Sequence, residues 1–222
     1  MSDVSERAII VALEHEAVGL ARFRTQSGAT RVYVCGVGAQ RARACAEHAV
    51  RDGCQELVSW GSAAGLDQRL IAGDVLQVRG CWRDGVRSEA SAPEVSAAIA
   101  KRFPKALLGD IAQANDVLAT SQHKRVLAGL SGALAADMET GAIAAVAQAA
   151  GVRWGAVRVV TDTADTRLSP AIVSALSPSG ELAVGNIAVA VLRRPTELLA
   201  LAQTAYAFAK TRATLRAIAK VL

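Results

Sequence analysis

Short apolar runs alternate along this chain with segments of helical periodicity, and this alternation constrains the fold more than any other feature. Five runs, several of them apolar on both faces, have strand character: Ala8–Leu13, Arg31–Gly36, Glu56–Ser59, Asp74–Val78 and Gly155–Thr161. Helical patterns lie between or after them, at Ala39–Asp52, Pro93–Arg102, Thr120–Gly129, Glu139–Ala150 and Pro195–Val221. Strands that alternate with helices of this length predict an α/β fold with a largely parallel sheet covered by helices on both faces.

The composition predicts a single domain with an aliphatic core. No internal repeat or long linker divides residues 1–222, and 52% of the residues are hydrophobic while 4% are aromatic. So few aromatic rings argue against base-stacking nucleic-acid modules. The four cysteines form no CxxC pair and the three histidines lack metal-ligand spacing, so neither a disulfide framework nor a metal centre is predicted. Because no secretory signal or membrane-spanning apolar run is found, we expect a cytoplasmic protein.

The positive charge of the chain is concentrated at its C-terminal end. The formal net charge is +5, and residues 193–222 hold six basic side chains against Glu197 alone. The first 192 residues therefore carry 19 charges of each sign. The predicted helix at about 195–222 is amphipathic and carries a basic stripe, Arg212, Arg216 and Lys220. Such a stripe is usually a solvated face, and the alternative is peripheral contact with an anionic membrane.

Ligands of open α/β sheets bind beyond the carboxyl ends of the strands, so the residues that follow the predicted strands are the candidate site. Glu14-His15-Glu16 places two carboxylates there, and one that points inward could act as a general base, although a solvated face is the simpler alternative. Gly36-Val37-Gly38 begins a dinucleotide fingerprint, but Arg41 stands at the third glycine position, so a tight turn is favoured. The segment Gly61–Gly65 is predicted to be a small-residue loop and lacks nucleophile-elbow spacing.

Three further charged residues lie at the ends or in the middle of predicted elements. Glu139 stands near a helix start, where the macrodipole favours a carboxylate, and it could also accept hydrogen bonds from ribose hydroxyls. Arg158 lies within an apolar strand and needs a partner, because an unpaired buried charge is too costly. Asp162 follows that strand and is placed to exchange a proton. Asp162 and Asp165 could bind a metal, but no third ligand has suitable spacing.

Taken in order, four segments resemble motifs of the purine nucleoside phosphorylase/nucleosidase family, closest to the methylthioadenosine/S-adenosylhomocysteine nucleosidases. They are ALEHE (12–16), GSAAGLDQRLIAGDV (61–75), DMETGAIAAVA (137–147) and VRVVTDTAD (157–165). The resemblance covers about residues 8–166. It implies a three-layer sandwich around a mixed, partly closed, twisted sheet, and cleavage of the N-glycosidic bond of a purine ribonucleoside. It also implies a homo-oligomer that uses no cofactor.

The resemblance assigns a role to each matching residue. Glu16 corresponds to the acid that activates the attacking water, and Ser62 and Arg158 to residues that hold that water. Phosphorylases of this family place an arginine three residues before the serine of the GS motif, and here that position is Ser59. Hydrolysis is therefore favoured, and phosphorolysis is the alternative. Glu139 corresponds to the carboxylate that binds the ribose 2′- and 3′-hydroxyls, with Met138 against the sugar, and Asp162 to the acid that protonates N7.

The segments around the base and the 5′ carbon depart from the nucleosidase pattern. The base pocket is predicted at Val117, Leu118 and Ala119, where Leu118 replaces an aromatic ring. The stretch from Asp74 to Asp116 is short and lacks the aromatic loop over the 5′ end, so a larger 5′ substituent is expected to fit. This short middle and the Arg-Pro-led tail resemble phosphorylase-like proteins of hopanoid biosynthesis, whose proposed substrate is adenosylhopane. A non-catalytic nucleotide-binding module and a membrane scaffold are the remaining alternatives.

Overall fold

The computed structural model describes residues 6–25, 29–169 and 198–221. Its strands are β1 (Arg7–Val11), β2 (Thr30–Val34), β3 (Glu56–Gly65), β4 (Val75–Arg83), β5 (Val86–Glu89), β6 (Leu107–Gln113), β7 (Ala135–Asp137) and β8 (Arg153–Asp162). Its helices are α1 (Ala21–Thr25), α2 (Ala39–Arg51), α3 (Pro93–Arg102), α4 (Ser121–Ser131), α5 (Thr140–Ala150) and α6 (Leu198–Ile218). A short 3-10 turn, Glu14–Glu16, follows β1.

The strands form a mixed sheet in the order β2-β1-β3-β7-β6-β4-β5, and β8 pairs with both β3 and β4. The pairs β1–β2, β1–β3, β3–β8, β4–β6 and β6–β7 are parallel. The pairs β3–β7, β4–β5 and β4–β8 are antiparallel. Because β8 bridges two strands that are separated in the main order, the sheet folds back on itself. The mixed, partly closed sheet that the resemblance implied is confirmed.

Helices cover both faces of this sheet, which confirms the predicted three-layer α/β sandwich. On one face α2 and α5 bury small side chains, among them Ala42, Ala46, Ala49, Ala144 and Ala147. On the other face α3 and α6 bury branched side chains, among them Val95, Ile99, Leu215 and Ile218. Alanine-rich helices can approach a sheet closely, so a core with few aromatic rings still packs densely.

Local sequence signals account for the helix ends. Pro93 occupies the first turn of α3, where its missing N–H costs nothing. The Thr120 side chain accepts a hydrogen bond from the backbone N–H of His123 and caps α4. Gly132 and Gly151 end α4 and α5 in the left-handed conformation. The helices predicted at 39–52, 93–102, 120–129 and 139–150 are therefore confirmed, with bounds that differ by at most two residues.

Several strands differ from the sequence prediction. Gly61–Gly65 is not a loop, because β3 runs to Gly65 and its backbone pairs with β8 and β7. The strands β5, β6 and β7 were not predicted. In β5 the pattern VRSE is mostly exposed, and β7 has only three residues, so neither carries a usable periodicity. In β6 the apolar pattern is interrupted by Gly109 and Asp110.

The basic C-terminal helix is present as α6, while residues 195–197 of its predicted start lie outside the described residues. The buried positions are Thr211, Leu215 and Ile218 of α6 and Ala219 directly after it, and the three residues of the basic stripe are exposed. Within the described ranges, no helix has both the length and the apolar character that crossing a bilayer would need.

Candidate active site

A cavity of about 620 Å³ opens where β1, β3, β7 and β8 end. Of the nine residues that the sequence nominated, eight line it: Glu16, Ser62, Val117, Leu118, Met138, Glu139, Arg158 and Asp162. Ala119 does not line it, but its carbonyl accepts a hydrogen bond from the backbone N–H of Leu168, which does (3.0 Å). Residues far apart in the chain therefore meet in one place, as ligand sites of α/β sheets do.

Glu16 points into the protein from the 3-10 turn and is 3% exposed, whereas Glu14 is exposed. Its Oε1 accepts hydrogen bonds from the backbone N–H of Ser62 (2.9 Å) and from the Ser62 hydroxyl (2.5 Å). The Trp60 indole N–H donates to the Glu16 carbonyl (2.9 Å). Gly61 allows this approach, since a Cβ there would lie 2.7 Å from Glu16 Oε2. The end of β3 thus fixes the orientation of the Glu16 carboxylate.

Arg158 has the buried partner that its position in β8 required, and that partner is Asp137. The Arg158 guanidinium forms an ion pair with Asp137 and donates to the hydroxyls of Ser59 (2.5 Å) and Thr140 (3.0 Å). Asp137 also accepts from the backbone N–H groups of Glu139 (3.3 Å) and Thr140 (3.1 Å). Sequence reasoning missed Asp137 as a partner, although the need for a carboxylate near Arg158 was the signal that could have found it.

The charge of Arg158 is stabilised by the site as a whole. Burial disfavours the guanidinium, but Asp137, Glu139 and Glu16 outweigh this effect, so the pKa of Arg158 is raised. A Cβ at Gly61 would lie 3.2 Å from Arg158 Nη1 and also against Glu16. Arg158 and Glu16 therefore both pack against the same glycine.

Glu139 is 8% exposed and is held by backbone N–H groups. Gly38 donates to its Oε1 (2.7 Å) and Met138 to its Oε2 (3.3 Å). The glycine turn that resembled a dinucleotide fingerprint thus contacts the candidate ribose carboxylate. Burial and the negative charge of Asp137 raise the pKa of Glu139 to about 7, although Arg158 and the Gly38 N–H act in the opposite direction.

Asp162 ends β8, and its side chain is 15% exposed. It forms an ion pair with Lys124 of α4, whose side chain is fully buried. Burial raises the pKa of Asp162, and Lys124 only partly offsets that rise. Sequence reasoning missed Lys124. The signal was its position on the same helix face as Leu127 and Ala128. Because these two residues are partly buried, a lysine on that face is not expected to be solvated.

Helix α6 closes one side of the cavity, which the sequence did not predict. Five of its residues line the cavity: Gln203, Thr204, Tyr206, Ala207 and Phe208. The Phe208 ring packs edge-on against His15, with ring centroids 6.0 Å apart. Because His15 precedes Glu16, α6 borders the part of the cavity next to that carboxylate. Among the described residues, no group of three or more His, Cys, Asp or Glu side chains is arranged to hold a metal ion.

The sequence profile of the Phosphorylase superfamily matches residues 10–193, which is most of the chain. The chain belongs to this superfamily. It is thus an enzyme of the nucleoside phosphorylase and nucleosidase family, which confirms the resemblance seen in the four sequence motifs. Among curated proteins, no sequence matches the chain significantly.

Solved structures of nucleosidases share this fold at low sequence identity. The 5′-methylthioadenosine/S-adenosylhomocysteine nucleosidase of Neisseria meningitidis, in complex with methylthio-immucillin-A, has a TM-score of 0.69 at 18% identity, over 98% of this chain and 100% of that chain. The futalosine hydrolase of Helicobacter pylori has a TM-score of 0.64 at 18% identity, over 96% and 99% of the two chains. The H. pylori methylthioadenosine/S-adenosylhomocysteine nucleosidase with butyl-thio-DADMe-immucillin-A has a TM-score of 0.66 at 17% identity, over 98% and 99%.

Proposed function

We propose that this enzyme hydrolyses the N-glycosidic bond of an adenine ribonucleoside. The observation that carries the proposal is that Glu16, Glu139 and Asp162, which come from three separate parts of the chain, line one cavity. Departure of a purine builds positive charge on the ribose and negative charge on the base. A carboxylate beside the sugar and a proton donor beside the base therefore both lower the barrier.

Each acid has a role that fits its surroundings. Glu16, held by Ser62, activates the attacking water as a general base. Glu139, with backbone donors on both oxygens, binds the ribose 2′- and 3′-hydroxyls, and Met138 contacts the sugar. Asp162 donates a proton to N7 of the leaving base. Ser62 and Arg158 help to hold the water, while Val117 and Leu118 form the apolar floor under the base.

Water is the proposed nucleophile instead of phosphate. The buried carboxylate of Glu16 lies against Ser62 of β3 and would repel an incoming phosphate dianion. At the position where the phosphorylases of this family carry an arginine, the Ser59 hydroxyl is bonded to Thr140 and Arg158. The positive charge of Arg158 is itself matched by Asp137. Phosphorolysis remains the second candidate function, and phosphate dependence of the rate decides between them.

The 5′ substituent of the substrate is proposed to be large and apolar. A cavity of about 620 Å³ falls in the range of drug-sized ligand sites, about 300–1,000 Å³, and it extends along Tyr206, Ala207 and Phe208 of α6. Adenosylhopane, which the sequence resemblance suggests, has such a substituent. The exposed basic stripe of α6 supports peripheral contact with the anionic membrane surface from which a lipid-linked substrate would be taken.

The test is a base-release assay across adenosine, inosine, methylthioadenosine, futalosine and adenosylhopane, each with and without inorganic phosphate. We expect adenine and a free sugar as products, the fastest turnover with adenosylhopane, and no acceleration by phosphate. Strict phosphate dependence with a ribose-1-phosphate product would replace hydrolysis with phosphorolysis. Efficient release from methylthioadenosine with none from adenosylhopane would overturn the lipid substrate alone. Binding of NAD without release of any base would favour a non-catalytic nucleotide-binding module.

A further inference from the structure

Lys124 is a buried cation that the proposed mechanism does not yet use. Its side chain has no exposed surface, although lysine is almost never fully buried unless it is paired. Its ammonium donates to Asp162 Oδ2, to the Thr163 carbonyl (2.6 Å) and to the Thr166 carbonyl (3.1 Å). An ammonium has three donor hydrogens, so these three acceptors satisfy it. The charge of Lys124 is therefore directed at the carboxylate that is proposed to protonate the base.

The same contacts connect Lys124 to the walls of the cavity. Thr163 and Thr166 belong to the loop after β8, and both line the cavity. Leu168 of that loop also lines it and bonds to Ala119 in the loop before α4. Lys124 thus ties α4 to the loop after β8, which the Leu168–Ala119 hydrogen bond ties in turn to the loop before α4, and it holds the Asp162 carboxyl group beside the cavity.

We propose that Lys124 is the positioning residue for proton transfer from Asp162. The inference rests on the proposed function, because it requires Asp162 to be the general acid. In the step, the O–H bond of the Asp162 carboxyl breaks and the N7–H bond forms, while the C1′–N9 bond breaks and its electron pair passes to the purine. The carboxylate left on Asp162 is then stabilised by the adjacent Lys124 ammonium, which stays protonated throughout.

The other charged groups around the cavity do not replace Lys124 as the partner of Asp162. The remaining charged residues that line the cavity are Glu16, Asp116, Asp137, Glu139, Arg158 and Arg167. Of these, Arg158 is paired with Asp137. Helix α6 contributes one titratable residue to the lining, Tyr206, whose side chain is largely exposed. Strand β3 presents only uncharged residues beside Asp162, namely Ala63, Ala64 and Gly65. The strongest opposing charge on Asp162 is Lys124.

The sign of the pH effect follows from this pairing. A general acid works only while it is protonated, so activity on a purine nucleoside is lost as the pH rises through the pKa of that acid. Lys124 lowers the pKa of Asp162 against the effect of burial. Removal of the ammonium leaves burial unopposed, so the alkaline limb of the pH profile should move to higher pH.

The experiment compares Lys124→Met with Arg125→Met, which removes an exposed positive charge from the next position of the same helix. For base release from the fastest nucleoside of the panel above, we expect Lys124→Met to shift the alkaline limb upward by about 1–3 pH units. Its low-pH plateau of kcat should fall about tenfold or more, since the acid is weaker and less well oriented. Arg125→Met should keep the wild-type profile. Lys124→Arg, which preserves the charge, should keep the wild-type alkaline limb.

A second substrate separates proton donation from general damage. The leaving group of 4-nitrophenyl riboside departs without protonation, so Lys124→Met should lose activity on the purine nucleoside and retain it on this substrate. Equal loss on both substrates, or an unmoved alkaline limb, overturns the role of Lys124. If instead Asp162→Asn is as active as wild type on the purine nucleoside, the proposed general acid itself is wrong. If Lys124→Met does not fold, Lys124→Arg decides the question. A wild-type alkaline limb and a wild-type ratio of rates on the two substrates support the proposal, and a change in either overturns it.

Discussion

At the scale of single residues, the proposed function needs one carboxylate that is ionised and another that carries a proton. Burial raises the pKa of both Glu139 and Asp162. The Glu139 carboxylate accepts hydrogen bonds from backbone N–H groups, whereas Asp162 is paired with the Lys124 ammonium. A group that accepts two ribose hydroxyls must be ionised, whereas a group that protonates N7 must carry a proton. Burial favours the protonated form of both acids, and the neighbouring donors, Arg158 and the Gly38 N–H for Glu139 and Lys124 for Asp162, oppose it.

Glu139 is expected to set an acidic limit on substrate binding. Its pKa of about 7 means that the carboxylate becomes protonated as the pH falls below 7, and a protonated group accepts the ribose hydroxyls less well. We therefore expect KM to rise as the pH falls from about 8 to 6, with a smaller change in kcat. Steady-state kinetics over this range check the prediction, and a KM that does not vary with pH would contradict it.

The same pKa has a consequence for stability. Since the folded pKa of Glu139 lies above its unfolded value, the folded state binds more protons, and this residue makes the protein less stable as the pH rises from about 4.5 to 7. Glu139→Gln removes the buried charge, so its free energy of unfolding relative to wild type should increase over that interval, by about 3 kcal/mol at most. Urea denaturation at pH 5 and pH 8 measures the difference. A constant difference would show that the charge of Glu139 is not the cause.

Asp162→Asn is expected to lower kcat at least about 100-fold on a purine nucleoside, because an amide cannot donate the proton that N7 needs. The fold should survive, since the amide oxygen can still accept a hydrogen bond from Lys124. Base release and the midpoint of thermal unfolding are measured together. Unchanged turnover in a folded variant would remove Asp162 from the mechanism.

At the scale of elements, the strand β3 shows why small residues stand at the end of a strand next to the site. Glu16 and Arg158 both approach Gly61 where a Cβ would stand, and a side chain there would have to displace one of them. Gly61→Ala should therefore reorient Glu16 and lower kcat/KM about 100-fold, as misplacement of a catalytic group by about 1 Å does. The cost in stability should be about 1–3 kcal/mol, which is typical of overpacking.

Gly129→Ala is the matched control for this change. Gly129 is exposed on α4, and a Cβ there would meet nothing within 4 Å. Alanine should stabilise the helix by about 0.5–1 kcal/mol and leave kcat/KM unchanged. Equal activity of the two alanine variants would mean that the approach of Glu16 to β3 is not needed for catalysis.

The sequence predicted those elements whose burial is expressed in a regular pattern. The apolar strands β1 and β8 and the helices α2 and α5 carry that pattern, and they were identified. The exposed β5 does not carry it, although it pairs with its neighbour β4 across the Asp84-Gly85 turn. The three-residue β7 does not carry it either, because its pairing is decided by the distant strands β3 and β6 and not by its own side chains. Asp137, at the end of β7, was missed as the partner of Arg158 for the same reason.

At the scale of the whole molecule, closure of the sheet brings the three acids together. Glu16 follows β1, Glu139 follows β7 and Asp162 ends β8, and all three strands border β3. The antiparallel pairing of β7 with the last residues of β3 runs the chain back along β3, and Thr140 at the start of α5 contacts Ser59 (3.0 Å). The sequence motifs predicted which residues share the site, but this pairing, which sets their distances, depends on non-local contacts that no single motif contains.

The distribution of charge over the molecule leads to a last prediction, for membrane binding. In the exposed stripe, Arg212 and Arg216 lie on α6, the same helix whose earlier turns line the cavity, and Lys220 follows directly after it. If this face meets an anionic bilayer, each basic residue should contribute about 1 kcal/mol to binding. Replacement of all three by glutamine should then weaken partitioning to anionic vesicles by about 3 kcal/mol, roughly 100-fold, with little effect on neutral vesicles. Vesicle sedimentation at low salt measures both.

A matched triple variant separates this surface from net charge. The control replaces three other exposed basic residues by glutamine, and they lie on other helices: Arg51, Lys101 and Arg125. It removes the same total charge as the first triple variant. Since attraction to a bilayer falls off within a Debye length, about 8–10 Å at ordinary salt, residues on faces turned away from the membrane should contribute little. The control should therefore bind vesicles almost as wild type does. Equal loss of binding in both variants would show that total charge, and not the α6 face beside the cavity, directs the protein to the membrane.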